Sequence, residues 1–283
     1  MHKLKKESLY NYLIIIFPIF FIIGSAAINL ILIIISLLTL FEIKKSYIKS
    51  NLTLIIFFGI IYIYWIFIAI LADDNLKSLQ SSISQIRFFL FAIFVSIFFK
   101  PEYFLKYLVY FWSFIVLLVC IDTNIQFFTG IDIFGYKAEG YIHDYRIWAT
   151  TDVGRLSGPF GDELVVGAFL AKISAPIILF YLHKIQFSKK KIETITSFLF
   201  LCLIYETVVF SGERTSLIII SLTFIVYFIF RTNIKKIMLL LLAIFIIIST
   251  SYLNNNHIKY RVNDTLKIVS NISNSSYGRI YNS

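Results

Sequence analysis

The sequence predicts an all-α fold, a polytopic transmembrane helical protein with about nine spans. Hydrophobic residues make up 59% of the 283 residues and the mean hydropathy is +0.83, above what is usual for soluble domains. Apolar stretches of roughly 17–25 residues, long enough to cross a bilayer, recur along the chain. Lysine clusters occupy alternate connections between these stretches, as expected when helices cross a membrane back and forth.

The first apolar stretch, 9–41, is interpreted as two short helices that form a hairpin. Gly24 and Ser25 offer a tight turn, and Pro18 and Asn29 interrupt the run. A single long tilted helix is the alternative, and it would invert the orientation of every later span. The predicted spans lie near 9–24, 25–41, 52–72, 83–99, 103–121, 163–182, 194–211, 214–231 and 236–253.

The basic residues predict the orientation of the spans, because cytoplasmic connections carry an excess of lysine and arginine. With nine spans the basic clusters all fall on one side, so we expect a cytoplasmic N-terminus and a periplasmic C-terminal end. The net charge of +10 is then explained by membrane topology, and we expect no nucleic-acid partner. The clusters comprise Lys3, Lys5 and Lys6, then Lys44, Lys45 and Lys49, then Lys100 and Lys106, then Lys184, Lys189, Lys190 and Lys191, and finally Arg231, Lys235 and Lys236.

The predicted domain organisation is one transmembrane helical domain over residues 1–253. It carries an external loop at about 122–162, which is too long to be a simple connector. Residues 254–283 are polar and rich in asparagine and serine. We interpret them as the start of a second periplasmic loop and expect the chain to be truncated at its C-terminal end.

Two polar segments in this apolar chain each carry an arginine beside a predicted span. The segment 155–160 reads Arg-Leu-Ser-Gly-Pro-Phe, and the segment 211–216 reads Ser-Gly-Glu-Arg-Thr-Ser. Charge at a membrane surface is costly and is often kept for function. The guanidinium group binds phosphate through two parallel hydrogen bonds, so Arg155 and Arg214 are candidate ligands of a phosphate or pyrophosphate headgroup. Interfacial anchoring of both side chains is the alternative.

Other charged residues lie within predicted spans. Arg87 falls about one turn inside the fourth span, where it either joins the same site or extends its side chain to the membrane surface. Lys172 and Glu206 lie deeper, in the sixth and seventh spans. An isolated charge there is expensive, so we expect these two to form an intramembrane pair.

The order of several motifs resembles the O-antigen ligase and O-antigen polymerase superfamily of bacterial envelope enzymes. The segment 155–160 matches that family's Arg-x-x-Gly-x-Phe motif, and 211–216 is similar to its Ser-Arg-Thr or Ser-Arg-Gly motif. Gly278 and Arg279, near the end of the chain, are similar to a Gly-Arg pair that opens the family's large periplasmic loop. One departure is Glu213, which stands where a small or hydroxyl residue is usual.

The resemblance implies a membrane glycosyltransferase of lipopolysaccharide biosynthesis in the bacterial inner membrane. Its donor would be a glycan on undecaprenyl pyrophosphate, and its acceptor the lipid A-core or another glycan. Arg155, Arg214 and Arg279, with Arg87 as a weaker fourth, would bind the pyrophosphate, with no metal or other cofactor. The family's catalytic histidine lies further along the large loop, beyond Ser283, so the catalytic residue of this chain is unknown.

Three alternatives stay open from the sequence. A polysaccharide polymerase of the same superfamily would differ only in its acceptor. A lipid-linked glycan transporter or flippase would use Lys172 and Glu206 as a relay, although such proteins tend to show repeats and broken helices that this sequence lacks. A non-catalytic membrane protein with a decayed site is the third.

Overall fold

The computed structural model of the chain is predominantly helical. It describes residues 2–43, 47–48, 51–103, 107–137, 141–142, 147–148, 156–161, 163–229, 242, 246 and 249–250. By its internal contacts the chain divides into two compact units, Met1–Leu108 and Val109–Ser283. The sequence-based prediction was a single helical domain over 1–253.

The first unit contains five helices and a short helical turn within the described residues. Gly24 separates the first two helices with a φ of 126°, a backbone conformation that residues other than glycine rarely adopt. The predicted division of the stretch 9–41 into two helices is therefore confirmed. The elements are α1 (His2–Ile23), α2 (Ser25–Glu42), α3 (Leu52–Ile70), α4 (Asn75–Ser84), α5 (Ile86–Phe98) and the turn Pro101–Tyr103.

Helices α2 and α5 pack against each other in this unit through both polar and apolar contacts. The hydroxyl groups of Ser36 and Thr39 donate to the backbone carbonyls of Arg87 and Leu90, at 3.4 and 3.3 Å. Each hydroxyl also donates to a carbonyl four residues earlier in α2, which satisfies it within an apolar helix. Ile35 and Phe94 are fully buried, so this helix pair forms much of the first core.

In the part of the second unit that the structure describes, there are four helices and a long connection. The connection contains a two-residue antiparallel strand pair, in which Tyr141 opposes Trp148 and Ile142 opposes Ile147. It also contains a short 3₁₀ helix, Gly158–Phe160. The remaining elements are α6 (Val109–Thr129), β1 (Tyr141–Ile142), β2 (Ile147–Trp148), α7 (Val166–Phe187), α8 (Lys191–Ser211) and α9 (Arg214–Ile229).

Helix α7 contributes most to the core of the second unit. Its fully buried side chains, among them Phe169, Leu170 and Ile177, face α6, α8 and α9. Two hydroxyl contacts join α9 to its neighbours: Tyr227 donates to Gln186 of α7 at 2.7 Å, and Tyr205 of α8 pairs with Ser221 at 3.1 Å. Short turns connect α7 to α8 and α8 to α9, so α8 ends where α9 and α7 begin. The end of α6 lies at the same end of the unit, because Gly158 lies against both Thr123 of α6 and Val166 of α7. We call this end of the second unit the polar end.

Several helices are long and apolar enough to cross a membrane, as the sequence predicts. Five candidates occur within the described residues: Ser25–Glu42, Asn75–Phe98, Val109–Thr129, Val166–Phe187 and Lys191–Ser211. Shorter apolar helices cover Leu9–Ile23, Ile55–Ile70 and Arg214–Tyr227. The architecture is that of a multi-pass helical membrane protein. The predicted ninth span, 236–253, lies almost wholly outside the described residues.

The boundary of α6 differs from the sequence-based expectation. The predicted fifth span ended at 121, and the external loop began at 122, because Asp122, Thr123, Asn124 and Gln126 interrupt the apolar run. The helix instead continues to Thr129. Its polar residues are accommodated because neighbouring segments of the same unit cover them, and Asp122, Thr123 and Gln126 are all buried.

Candidate functional site

A buried amide holds the first motif segment against α6 at the polar end. Gln126 is fully buried, and its Oε1 accepts a hydrogen bond from the backbone N–H of Gly158 at 2.9 Å. Its Nε2 donates to the hydroxyl of Ser157 at 3.0 Å and to the carbonyl of Tyr136 at 3.3 Å. One side chain therefore fixes both the segment 156–160 and the loop that follows α6.

The position of Gly158 requires a glycine. Its φ is +50°, in the left-handed region, and a Cβ atom there would lie 2.5 Å from Oγ1 of Thr123. The same atom would lie 3.1 Å from a methyl group of Val166, the first residue of α7. The motif glycine thus lets the backbone of this segment approach two helices at once.

Glu213 connects the second motif segment to the start of α7. Its Oε1 accepts from the backbone N–H of Gly167 at 3.1 Å, and its Oε2 accepts from the hydroxyl of Ser216 at 2.9 Å. The N–H groups of a first helical turn lack partners within the helix, so a carboxylate is a favourable acceptor for them. A Cβ on Gly167 would lie 2.8 Å from both Glu213 Cβ and Ser211 Oγ, so the approach is close. In this structure, Glu213 has a structural role, because it links the second motif segment to α7.

Apolar side chains also bring the two motif segments together. Leu156, the residue after Arg155, is buried in one cluster with Phe127 of α6 and Phe210 of α8. The rings of Phe127 and Phe210 are stacked, with centroids 3.9 Å apart and planes 7° apart. Phe210 directly precedes the segment 211–216. Leu156 of the first motif segment and the residue directly before the second segment therefore share one small core at the polar end.

The structure gives different outcomes for the predicted pyrophosphate ligands. Arg155 and Arg279 lie outside the described residues. Arg214 is the first residue of α9, and its side chain is exposed at the polar end. Arg87 belongs to the first unit, where its guanidinium carbon lies 5.3 Å from the ring centre of Phe88. Its Nε is buried and makes no hydrogen bond with any described residue.

The predicted ion pair between Lys172 and Glu206 is not formed. Both residues are described: Lys172 lies on an exposed face of α7, Glu206 is half-buried on α8, and no ion pair joins them. An ion pair does connect these helices at the opposite end, where Glu193 of α8 contacts Lys184 of α7 at 3.9 Å. Glu193 also contacts Lys190, which directly precedes α8, at 3.4 Å. The prediction rested on depth along the two helices, and depth does not fix which face of a helix a residue occupies.

Sequence reasoning missed the buried polar residues of α6. Asn124 donates to Oγ1 of Thr207 at 2.9 Å, and Asp122 accepts from the N–H of Ile133 at 2.8 Å. Together with Gln126 they attach α8 and the connection to α6. A recognisable signal was available, because Asp122 and Gln126 are four residues apart and so share one helix face.

Comparisons with known proteins find no relative of this chain. No protein-family model matches the chain, and no curated protein and no solved structure matches it. The resemblance to the O-antigen ligases and polymerases therefore rests on the motifs quoted above.

Proposed function

We propose that the protein is a nine-span glycosyltransferase of the bacterial inner membrane, similar to the O-antigen ligases. It would transfer a glycan from undecaprenyl pyrophosphate to a lipid A-core or glycan acceptor at the periplasmic face. The polar end of the second unit would then face the periplasm, with the N-terminus in the cytoplasm.

The observation that carries this proposal is the convergence of two motif segments that are far apart in sequence. The segment 156–160 and the segment 211–216 lie at the same end of the same four helices. They are joined by the Leu156–Phe210 contact and anchored by the hydrogen bonds of Gln126 and Glu213. A site that binds one headgroup with residues from both segments requires this arrangement.

Arg214 has the chemistry and the exposure that the proposed site requires. Its guanidinium offers five N–H donors in a planar fork that matches two phosphate oxygens at once. It lies at the N-terminus of α9, where the helix dipole also favours an anion. The carboxylate of the preceding Glu213 accepts hydrogen bonds from Gly167 and Ser216.

The reaction would break the bond between the anomeric carbon of the donor sugar and the pyrophosphate oxygen. A new bond forms between that carbon and an acceptor hydroxyl oxygen, whose proton passes to a base. By the resemblance, this base is the histidine of the family's large periplasmic loop. Undecaprenyl pyrophosphate leaves with the bonding electrons, and arginines placed around it would stabilise the charge that develops on it.

Two alternative functions differ in the support that the described residues give them. A polymerase of the same superfamily would use the same pyrophosphate site with a lipid-linked glycan as acceptor. A transporter that relays protons between Lys172 and Glu206 finds less support, because these side chains form no pair and Lys172 is exposed.

Binding to the lipid carrier tests the proposed function without depending on the catalytic base. We expect the protein in lipid nanodiscs to bind undecaprenyl pyrophosphate more tightly than undecaprenyl phosphate, and undecaprenyl phosphate more tightly than undecaprenol. The extra affinity arises because each phosphate group adds oxygens for charge-assisted hydrogen bonds. Affinities can be measured by competition with a fluorescent polyprenyl pyrophosphate. Equal affinity for all three lipids would contradict the proposal, since the headgroup would then contribute nothing.

The proposed orientation predicts the location of the connections. Reporter fusions after Lys191 and after Lys235 should be active only when the reporter works in the cytoplasm. Fusions at Glu139 and at Asn255 should be active only when it works in the periplasm. The physical reason is the distribution of lysine clusters. A cytoplasmic location of Glu139 would contradict both the topology and the periplasmic site.

A further inference from the structure

After α6 ends, the backbone folds back beside the helix. We call residues 131–137 the returning loop. Within it, the backbone N–H of Ile133 donates to Oδ1 of Asp122 at 2.8 Å. Asp122 lies seven residues before the helix end at Thr129, which is about 10 Å along the axis at 1.5 Å per residue. The returning loop therefore lies beside the last two turns of α6, below its end.

This depth matters because α6 is itself a candidate membrane span. Its 21 residues correspond to about 32 Å, close to the hydrocarbon thickness of a bilayer of roughly 30 Å. A loop that reaches 10 Å below the end of such a helix extends past the headgroup layer. Non-helical backbone is tolerated there only if its polar groups have partners.

Part of the returning loop meets that requirement through its own carboxylate, although Oδ2 of Asp132 is buried without a hydrogen-bond partner among the described residues. Oδ1 of Asp132 accepts from the N–H of Tyr136 at 2.6 Å, and the N–H of Asp132 donates to the carbonyl of Tyr136 at 3.0 Å. Gly135, with a φ of +91°, donates to the carbonyl of Asp132 at 3.2 Å. The hydroxyl of Thr129 donates to the carbonyl of Ile131 at 2.7 Å. The turn is thus closed on itself by local hydrogen bonds.

The burial of the loop's side chains is the opposite of that expected in water, where acidic side chains are exposed and apolar side chains are buried. Its acidic residue, Asp132, is only 5% exposed, whereas Ile133 and Phe134 at the tip are 62% and 67% exposed. Exposed apolar side chains also form a stripe along one face of α6, at helical spacing. They are Phe114, Leu118, Ile121, Ile125 and Phe128.

From the depth, the local hydrogen bonds and the outward apolar tip, we propose that the returning loop is inserted in the lipid bilayer. Ile133 and Phe134 contact lipid acyl chains near the headgroup boundary. Tyr136 and Lys137 follow them and are exposed, and side chains of this amphipathic kind are favoured at the membrane surface. The partner of this surface is the lipid bilayer, and the inference does not depend on the proposed function.

Spin labelling tests the insertion directly. A single cysteine is introduced as Phe134→Cys in a background that carries Cys120→Ala and Cys202→Ala, and the nitroxide-labelled protein is placed in bilayers. Two matched sites provide the reference: Leu118→Cys on the exposed stripe of α6, and Lys189→Cys in the exposed connection between α7 and α8. Power-saturation measurements then compare the collision rate of each label with oxygen, which partitions into lipid, and with a water-soluble nickel chelate.

We expect the label at position 134 to resemble that at 118, with high oxygen and low nickel accessibility. Accessibility like that at 189 would overturn the proposal, because the loop would then lie in water. Low accessibility to both reagents would also overturn it, because another part of the protein would then cover the loop. If the cysteine-free background does not fold, the native cysteines can be kept, since both are buried and label slowly compared with an exposed site.

Discussion

Replacing Arg214 with glutamine is expected to weaken binding of undecaprenyl pyrophosphate by about 10- to 100-fold. A hydrogen bond to a charged group contributes about 1.5–3 kcal/mol, and each 1.4 kcal/mol is a factor of ten in affinity. Arg214→Lys should lose part of that affinity, because lysine keeps the charge but lacks the planar fork. Glycan transfer should fall at least as far as the affinity.

Lys189→Gln is the matched control for this experiment. It removes the same charge from an exposed position in the connection between α7 and α8, away from the polar end. Its affinity for the lipid should equal that of the wild type. If Arg214→Gln binds the lipid as tightly as this control, Arg214 only anchors its helix at the membrane surface and does not belong to the pyrophosphate site. Arg155→Gln and Arg279→Gln, measured in the same way, decide whether those two residues belong to it.

Replacing Gly158 with alanine is expected to lower the free energy of unfolding by about 2–5 kcal/mol. A left-handed backbone costs alanine about 1–2 kcal/mol, and the forced contact with Thr123 costs about 1–3 kcal/mol more. For a protein of this size the melting temperature in detergent should fall by roughly 5–10 °C. Adding Thr123→Ala should restore part of the loss, since it removes the hydroxyl that the new Cβ would meet.

Two other glycines separate the contributions to this effect. Gly135 also has a positive φ, but a Cβ there would meet nothing within 4 Å, so Gly135→Ala reports the backbone strain alone. Gly59 is within α3 and has neither a positive φ nor a near neighbour, so Gly59→Ala should be neutral or stabilising. A Gly158→Ala protein that melts no lower than Gly59→Ala would show that the segment is not packed as described.

The sequence predicts the helices of this protein well where the apolar pattern and the turn chemistry agree. The break at Gly24 is an example, because the tight turn can be recognised locally. The end of α6 is a counterexample. Its polar residues suggest a solvated loop, yet Gln126 is buried by Gly158, which is 32 residues away in sequence. Hydropathy along one segment carries no information about such a distant partner.

In the candidate site, too, some features can be predicted from the local sequence and others depend on contacts between distant residues. The proximity of the two motif segments follows from the helical hairpins, which the sequence predicts. The role of Glu213 does not follow, because it depends on how closely Gly167 and Ser211 approach each other. The absence of the predicted Lys172–Glu206 pair has a related cause. The apolar helices α7 and α8 carry polar residues on several faces, so their sequences give no clear rotational preference.

The single carboxylate of Glu213 also has a thermodynamic consequence for the two helices that it joins. It accepts from Gly167 at the start of α7 through one oxygen and from Ser216 in the first turn of α9 through the other. Changes at these two positions therefore act on one shared acceptor. Their effects on stability should be non-additive, as is usual for residues of one hydrogen-bond network. The starts of α7 and α9 thus form one cooperative unit, which includes the helix that carries Arg214.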